Sequence, residues 1–295
     1  MNVYKIMLAL YILARKHGLT NLISIFMKRG KVIFPNGLVI NINSKNFRDI
    51  VSLLLFSAKY GAEVGKDWKV DLESYTITSP DGIRFSLRGF DPLIFAETFL
   101  YDIHFIDFDL KGRTVIHAGA YVGETALYYA KKGAIVYAFE PQLDCYNIAR
   151  YNLELNPELS KNVVLKNWAI GSDGEIEFPN TQCSGSVGIY SSNLQKIKVR
   201  SVSISTILKE FKIVNPDILD LDIKGAEFQI IHDKSLEKFK VIRIEYLTII
   251  DGKKVGEVND IINKLKEYGF NKIRIYKHNE LSYSLSINGT ILASK

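Results

Sequence analysis

The stretch Thr114-Val-Ile-His-Ala-Gly-Ala-Tyr-Val-Gly-Glu-Thr125 decides the fold of this chain. It opens with a short apolar run typical of a buried strand, and a segment suited to a helix follows from Glu124 to Lys132. Between them, Gly119 and Gly123 allow a tight turn and a close backbone approach to a ligand. The helix start favours a carboxylate or phosphate group, because its free N–H groups carry partial positive charge. The stretch therefore predicts a strand, a binding loop and a helix in succession.

Strands and helices alternate on the C-terminal side of this stretch. The predicted strands are Thr114–Ala118, Ile135–Phe139, Val163–Leu165, Ile218–Asp222, Val241–Glu245, Lys272–Tyr276 and Tyr283–Ile287. Such alternation is typical of an α/β fold with a doubly wound, mostly parallel, Rossmann-like sheet. The last two strands are expected to form an antiparallel pair at one edge, followed by a turn at Asn288-Gly289.

The N-terminal part of the chain follows a different pattern. Apolar residues at helical spacing predict helices over 3–14 and 47–58, and a β-hairpin is predicted after each, turning at Asn36-Gly37 and Asp81-Gly82. We therefore expect two domains, a smaller helix and hairpin region over 1–95 and the α/β domain over 96–295.

The net charge of +6 is unevenly distributed. Residues 1–48 hold eight lysines and arginines and no acid, which gives +8 and leaves −2 for residues 49–295. A basic segment of this kind indicates either a solvated face or an acidic partner, such as a membrane surface or a nucleic acid.

Composition excludes several classes of protein. Apolar residues make up 47% and charged residues 24%, as in ordinary globular proteins. The apolar run Ile6 to Ala14 is too short to span a membrane, which takes about 20 residues. Cys145 and Cys183 cannot form a disulfide framework or a four-cysteine zinc site. We expect reduced thiols, a cytoplasmic protein and no metal site.

Informative residues follow the carboxyl ends of four predicted strands, where doubly wound sheets bind their ligands. Glu140-Pro141 follows the second strand, and an acid at this position can accept two hydrogen bonds from a ribose diol. Asn167-Trp-Ala169 follows the third strand and can flank an adenine. Asp222-Ile-Lys-Gly-Ala-Glu227 follows the fourth. Together these positions predict a nucleoside site, although a plain strand-to-helix turn explains each residue taken singly.

The loop favours a nucleoside with a carboxylate tail over a dinucleotide. Tyr121 occupies the middle glycine position of the G-x-G-x-x-G pattern, and a pyrophosphate needs the close approach that this glycine allows. S-adenosylmethionine has the expected shape, with its ribose at Glu140 and its tail near the helix start. An NAD-dependent oxidoreductase is the least favoured function for the same reason.

Residues 114–245 resemble the FkbM-type methyltransferase family. Its pattern is Asp-x-Gly-Ala-Asn-x-Gly, Phe-Glu-Pro and Asp-x-Glu-Gly-x-Glu, and this chain has His117-Ala-Gly-Ala-Tyr-Val-Gly123, Phe139-Glu-Pro141 and Asp222-Ile-Lys-Gly-Ala-Glu227. The resemblance implies a class I methyltransferase fold, S-adenosylmethionine as cofactor, and methyl transfer to a hydroxyl of a sugar, glycan or glycolipid. The candidate cofactor-binding residues are His117, Gly119, Ala120, Tyr121, Gly123, Glu124, Thr125, Glu140, Pro141, Asn167, Trp168, Ala169 and Asp222.

Three residues depart from the family pattern: His117, Tyr121 and Lys224. An acid at 117 would help to orient the amino group of the cofactor, and Lys224 reverses a charge beside the expected acceptor site. These departures permit an altered acceptor preference, or a cofactor-binding protein without catalysis.

Asp222 is the candidate catalytic base, because the end of its strand is expected to face the cofactor cleft. Glu227 and Glu245 are nearby acids and candidate positioning groups for the acceptor.

Two further functions stay open. An RNA methyltransferase would bind phosphates through the basic N-terminal segment, but the chain has no Asn/Asp-Pro-Pro-aromatic segment for amino methylation. A membrane-associated protein would use the apolar N-terminal helix and its lysines. The expected partners are a small-molecule, glycan or glycolipid acceptor and, through residues 1–48, an acidic membrane surface; nucleic acid is less favoured.

Overall fold

The computed structural model describes residues 20–104, 108–185, 194–277 and 284–295, so the predicted helix over 3–14 lies outside the described residues. The chain divides into two compact units, residues 1–102 and 103–295. Among the described residues, no helix is long and apolar enough to cross a membrane.

The first unit contains both predicted hairpins. Residues 20–27 are helical. The elements that follow are β1 (Gly30–Ile33), β2 (Val39–Ile42), α1 (Phe47–Tyr60), β3 (Lys69–Asp71), β4 (Thr76–Thr78), β5 (Arg84–Ser86) and α2 (Pro92–Phe99). Antiparallel pairing of β1 with β2 and of β4 with β5 confirms the hairpins. The short strand β3 was not predicted, and it extends the second hairpin to three strands.

Aromatic side chains fill the core of the first unit. Trp68 packs edge-on against Phe56 with ring centroids 4.9 Å apart, and Phe95 packs in the same way against Phe85 at 5.0 Å. Asp91 begins α2 by accepting hydrogen bonds from backbone N–H groups of its first turn. The start of α2 therefore completes the small core of the first unit.

The second unit is an α/β structure. Its strands are β6 (Thr114–Ala118), β7 (Ile135–Phe139), β8 (Val163–Lys166), β9 (Ala169–Ile170), β10 (Gly174–Pro179), β11 (Lys196–Val202), β12 (Ile218–Asp222), β13 (Val241–Leu247), β14 (Ile249–Ile250), β15 (Lys253–Lys254), β16 (Lys272–Tyr276) and β17 (Asn288–Ser294). Its helices are α3 (Glu124–Lys131), α4 (Leu143–Glu154), α5 (Pro157–Ser160), α6 (Ile204–Glu210), α7 (Glu227–Ile230), a 3₁₀ helix (Lys234–Lys238) and α8 (Val258–Glu267).

The main sheet has seven strands in the order β16-β17-β13-β12-β6-β7-β8. The five strands from β13 to β8 are parallel, and β17 runs antiparallel to both of its neighbours, which confirms the doubly wound, mostly parallel sheet. The chain leaves β6 toward β7 on one side and later returns to β12 on the other. The strand order therefore reverses between β6 and β12, and a ligand site is expected outside their carboxyl ends.

The last strand differs from its prediction. The expected strand over 283–287 and the expected turn at Asn288-Gly289 are wrong: residues 285–287 form the turn, residue 283 lies outside the described residues, and Asn288 begins β17. Strand β17 pairs with β13 from Asn288 to Ser294. It buries the apolar run Ile291-Leu-Ala293 in the sheet.

A second, three-stranded sheet of the order β10-β11-β9 was not predicted. Its long strand β11 alternates lysines and arginines with apolar residues, so only one of its faces is buried.

Candidate active site

The loop after β6 forms a tight turn. Gly119, Tyr121 and Gly123 all have positive φ angles, of 89°, 48° and 81°. A Cβ atom on Gly119 would lie 1.9 Å from the carbonyl oxygen of Asp222, so this position must be glycine for the ends of β6 and β12 to meet. The N–H groups of Gly119 and Ala120 both donate to the carbonyl of Phe139, at 2.9 and 3.0 Å. The loop is thereby fixed between β7 and β12, at the reversal of strand order.

Glu140 links this loop to the end of β7. Its Oε2 accepts a hydrogen bond from Tyr121 N–H and its Oε1 accepts one from Gln142 N–H, both at 2.8 Å. The side chain is buried, and burial raises the pKa of its carboxyl to about 7. A carboxylate has about four acceptor positions, so acceptor capacity remains after these two bonds.

Asn167 brings the end of β8 to the same place. Its side-chain amide donates to the carbonyl oxygens of Glu140 and Pro141, at 2.8 and 3.0 Å. Trp168 and Ala169 contribute to side-chain packing. Trp168 stacks on Phe139 and beneath Arg200, and Ala169 is buried in β9.

The segment 181–184 lies against the start of α4, next to Glu140 in sequence. Gln142 Nε2 donates to Thr181 Oγ1 at 2.8 Å and to the carbonyl oxygen of Gln182 at 2.9 Å. Cys145 of α4 forms a disulfide with Cys183, with Cα atoms 4.7 Å apart. The expectation of reduced thiols is therefore wrong, because the fold brings together two cysteines that lie 38 residues apart in the sequence.

His117 belongs to a buried charge network inside the sheet. Its Nδ1 lies 2.9 Å from Oδ2 of Asp220, and Asp220 accepts hydrogen bonds from Tyr129 Oη at 2.7 Å and from Arg243 Nη1 at 2.8 Å. Asp220 is in register with His117 on one side and Arg243 on the other. All four side chains are buried.

The charges in this network shift the pKa values of Asp220 and His117. Burial alone would raise the pKa of Asp220, but the Arg243 guanidinium and His117 hold that pKa far below its usual range. Burial lowers the pKa of His117, and Asp220 outweighs this effect and raises it. Sequence reasoning missed Asp220 and Arg243. The sequence pattern that could have indicated them is one charged residue in the middle of each of two neighbouring apolar strands.

Glu124 is a buried acid with an unused oxygen. Its Oε1 accepts from Thr125 Oγ1 at 3.0 Å, whereas its buried Oε2 has no hydrogen-bond partner among the described residues. Burial raises the pKa of Glu124 to about 7; the neighbouring His117 lowers it and Asp222 raises it. Glu124 follows Gly123 directly, so this carboxyl lies at the start of α3. An acceptor atom without a partner in such a place fits a cationic ligand group.

Lys224 joins the two carboxylates at the ends of β12 and β13. Its Nζ lies 2.9 Å from Asp222 Oδ1 and 2.9 Å from Glu245 Oε1. Burial lowers the pKa of Lys224, but the two carboxylates outweigh it and hold the pKa well above the usual range. The side chain is therefore a permanent cation between the candidate base and a candidate positioning acid.

Glu227 bonds to backbone N–H groups rather than to Lys224. It is fully buried, and it accepts hydrogen bonds from Gly225 N–H at 2.6 Å and Leu247 N–H at 2.9 Å. Burial raises its pKa to about 7. Glu227 thus ties the loop after β12 to the end of β13. Within the described ranges, no group of three or more His, Cys, Asp or Glu side chains is arranged to hold a metal ion.

A family described as Methyltransferase FkbM domain matches residues 117–272, more than half of the chain. No curated protein is significantly similar to the chain.

Similar solved structures include three methyltransferases. The N-terminal domain of human METTL16 in complex with SAH has a TM-score of 0.43 and 16% identity, over 97% of this chain and 94% of that chain. Magnesium protoporphyrin IX methyltransferase (ChlM) from Synechocystis PCC 6803 with bound SAM has a TM-score of 0.40 and 14% identity, over 68% and 77%. Precorrin-6y C5,15-methyltransferase from Geobacter metallireducens GS-15 has a TM-score of 0.36 and 14% identity, over 63% and 81%.

Proposed function

The chain belongs to the family of FkbM-domain methyltransferases, and from this premise we propose that it methylates a hydroxyl group of a sugar, glycan or glycolipid. The cofactor is S-adenosylmethionine, which supplies when bound a methyl group on a positively charged sulfur. The observation that carries the proposal is the pairing of two acids with one glycine loop, Glu140 bonded to its middle and Glu124 at its end.

The residues of this loop fit that cofactor. Glu140 retains acceptor capacity for the two hydroxyls of a ribose, while its existing bonds keep the carboxylate oriented. The unpartnered Oε2 of Glu124 suits the ammonium of the methionine part. We assign Gly119, Ala120, Tyr121 and Gly123 to the backbone surface against which the ligand lies, since the absence of a side chain at both glycines allows a close approach.

The remaining predicted ligand residues take supporting roles in this proposal. Asn167 and Pro141 shape the edge beside Glu140, and Thr125 orients Glu124 through its hydroxyl. His117 acts through Asp220 on the sheet rather than by touching the ligand. Trp168 packs between Phe139 of the main sheet and Arg200 of the small sheet, and Ala169 pairs with β11.

The acceptor side is assigned to Asp222, Lys224 and Glu245. The transfer needs a line through acceptor oxygen, methyl and sulfur, and orientation of this kind contributes several kcal/mol. In this proposal the acceptor oxygen bonds to the methyl carbon as the methyl–sulfur bond breaks, with its electron pair left on sulfur, and Asp222 takes the proton that the acceptor hydroxyl loses. Lys224 holds Asp222 and Glu245 in a fixed geometry, so Glu245 is a positioning residue.

Calorimetric titration of the purified protein with S-adenosylmethionine, and with NAD⁺ as the contrasting nucleotide, tests the cofactor. Transfer of a labelled methyl group to glycan, glycolipid and RNA acceptors then tests the substrate class. We expect binding of S-adenosylmethionine alone and labelling of the sugar-containing acceptors alone. Label in RNA, with none in the glycans, would contradict the proposed acceptor.

A further inference from the structure

The first unit presents apolar side chains that its own core does not use. In the helical stretch 20–27, Ile23 and Met27 are each 52% exposed and Phe26 is 86% exposed. These three positions are neighbours on one helix face, since residues three and four apart lie side by side. Ile25, on another side of the helix, is buried. The helix thus uses one side for packing and leaves an apolar side open.

The orientation of this stretch is fixed by contacts within the unit. The buried side chain of Asn21 donates to the carbonyl oxygen of Ile33 at 2.7 Å and accepts from the Ile33 N–H at 2.8 Å. A Cβ atom on Gly30 would lie 2.9 Å from Ser24 Oγ, so the helix also approaches the start of β1 closely. These contacts hold the helical stretch in place, so its exposed apolar face is a feature of the folded unit.

The hairpin β1–β2 adds further apolar surface. Ile33 and Val39 are cross-strand partners, and cross-strand partners share one face of a hairpin. They are 40% and 50% exposed. Monomeric proteins rarely expose several large apolar side chains on adjacent elements unless these meet a partner or a membrane.

All formal charges in this region have the same sign. No aspartate or glutamate occurs in residues 20–48. The exposed basic residues there are Lys28, Arg29, Lys31, Lys45 and Arg48.

We propose that residues 20–48 form a docking surface for membranes that contain acidic lipids, called here the apolar-basic surface. The charge selects a partner that carries phosphate groups, and large aliphatic side chains beside that charge favour the interface of a lipid bilayer. An RNA would satisfy the cations but would gain little from Ile23 and Met27. This inference goes beyond the proposed methyl transfer, since it concerns the first unit and does not depend on that activity.

Vesicle flotation of the full chain tests the proposal. The probes are vesicles of phosphatidylcholine alone and of phosphatidylcholine with 30 mol% phosphatidylglycerol, each over a series of salt concentrations. We expect binding to the acidic vesicles only, weakening as salt rises because screening shortens the range of the charges. Equal binding to both vesicle types, or to neither, overturns the proposal.

Paired variants locate the surface. Phe26→Ser should lower the partition coefficient by roughly tenfold, because the ring no longer leaves water. Val214→Ser is its control, since Val214 is 80% exposed in the second unit. Arg29→Gln with Lys31→Gln should lower it by about fivefold per charge, whereas Lys196→Gln with Lys272→Gln should not change it.

Two other results count against the surface. If the Phe26 variant binds as well as the unchanged protein, residues 20–48 are not the site. If a single-stranded RNA is retained as tightly as acidic vesicles and Phe26→Ser has no effect on either, the partner is a nucleic acid. Methyl transfer to a soluble acceptor serves as a separate readout, so failure of docking and failure of the proposed activity remain distinguishable.

Discussion

The ammonium of Lys224 lies 2.9 Å from the carboxylate of Asp222. The residue that departs most in charge from the family pattern is therefore bonded directly to the residue proposed as base. Lys224 also contacts Glu245 and so joins the ends of β12 and β13, which makes the proposed acceptor side a preformed unit rather than a set of separate acids.

Replacement of the proposed base separates proton transfer from orientation. Asp222→Asn keeps the size of the side chain but removes its basicity, and we expect turnover to fall by roughly 10²–10⁴ with cofactor affinity unchanged within about tenfold. Single-turnover methyl transfer and calorimetry measure the two effects. Asp260→Asn, an exposed acid of α8, is the control. Normal turnover in Asp222→Asn would leave orientation alone as the source of rate.

Loss of Glu140 should affect both cofactor affinity and folding. Glu140→Ala removes the proposed ribose acceptor, and we expect the binding free energy to weaken by about 1.5–3 kcal/mol. A position at the rim of a cleft would leave stability unchanged, but Glu140 is buried and serves two backbone N–H groups. We therefore also expect unfolding free energy to drop by about 1–3 kcal/mol. Chemical denaturation of the unliganded protein checks this, and an unaltered midpoint would contradict the buried role.

The pH dependence of cofactor binding tests Glu124. Its pKa of about 7 means that the acid is protonated below neutral pH, so the bond that we propose to the cofactor ammonium would be lost there. Affinity should rise by about tenfold from pH 6 to pH 8. Glu124→Gln should make the profile shallower, leaving only the contribution of Glu140, and Glu177→Gln, at an exposed acid, should not change it. A steep profile in Glu124→Gln would assign the titration to another group.

The raised pKa of Glu124 affects stability in the opposite direction: it makes the unliganded protein more stable at low pH than at high pH. A carboxyl whose pKa is raised from 4.5 to about 7 on folding favours the protonated form in the native state. Its contribution is full below pH 4.5 and is lost as the pH rises through about 7. Glu124, Glu140 and Glu227 share this property. Unliganded protein should therefore melt at a lower temperature at pH 8 than at pH 6, and scanning calorimetry checks the direction.

The buried pair Asp220–Arg243 should be costly to break and cheaper to replace as a whole. Asp220→Asn removes the nearest counter-charge of the guanidinium, which keeps only Glu245 at 3.9 Å, and should destabilise the protein by about 3–5 kcal/mol. The double variant Asp220→Leu, Arg243→Met should recover part of that loss. His117→Asp would place a second carboxylate against Asp220, so we expect it to unfold the protein more easily rather than tighten cofactor binding. Urea titration compares all three.

Reduction of the disulfide provides a simple check on the segment 181–184. Opening a cross-link between residues 38 apart costs about 3–4 kcal/mol in the chain-entropy account. Melting curves with and without dithiothreitol should differ for the unchanged protein and coincide for Cys145→Ser with Cys183→Ser. Two free thiols in the untreated, unfolded protein would show that the bond does not form.

Sequence patterns located most of the second unit because its signals are local. The run Ile218–Asp222 forms a strand with the predicted bounds, and the loop at Gly119 turns where its glycines require it. The turn predicted at Asn288-Gly289 failed, since pairing with β13 outweighed the local preference of those two residues.

Features that depend on distant partners escaped prediction. The bond between Cys145 and Cys183 depends on where α4 and the segment 181–184 meet, and spacing alone does not contain that information. The position of Lys224 between Asp222 and Glu245 likewise depends on the register of β12 and β13. A charged residue inside each of two neighbouring strands could have indicated Asp220 and Arg243, because aligned parallel strands bring such residues into contact.

The contact between Gly119 and the carbonyl of Asp222 has a consequence for evolving the enzyme in the laboratory. Every codon change that replaces glycine adds a Cβ atom, so no substitution at 119 is conservative, and each one pushes the loop after β6 away from the end of β12. A mutant library that randomises this codon therefore consists mainly of proteins with a displaced loop. Diversity introduced at Lys224 instead tests the acceptor side that we propose, because each variant removes the ammonium that Asp222 and Glu245 share.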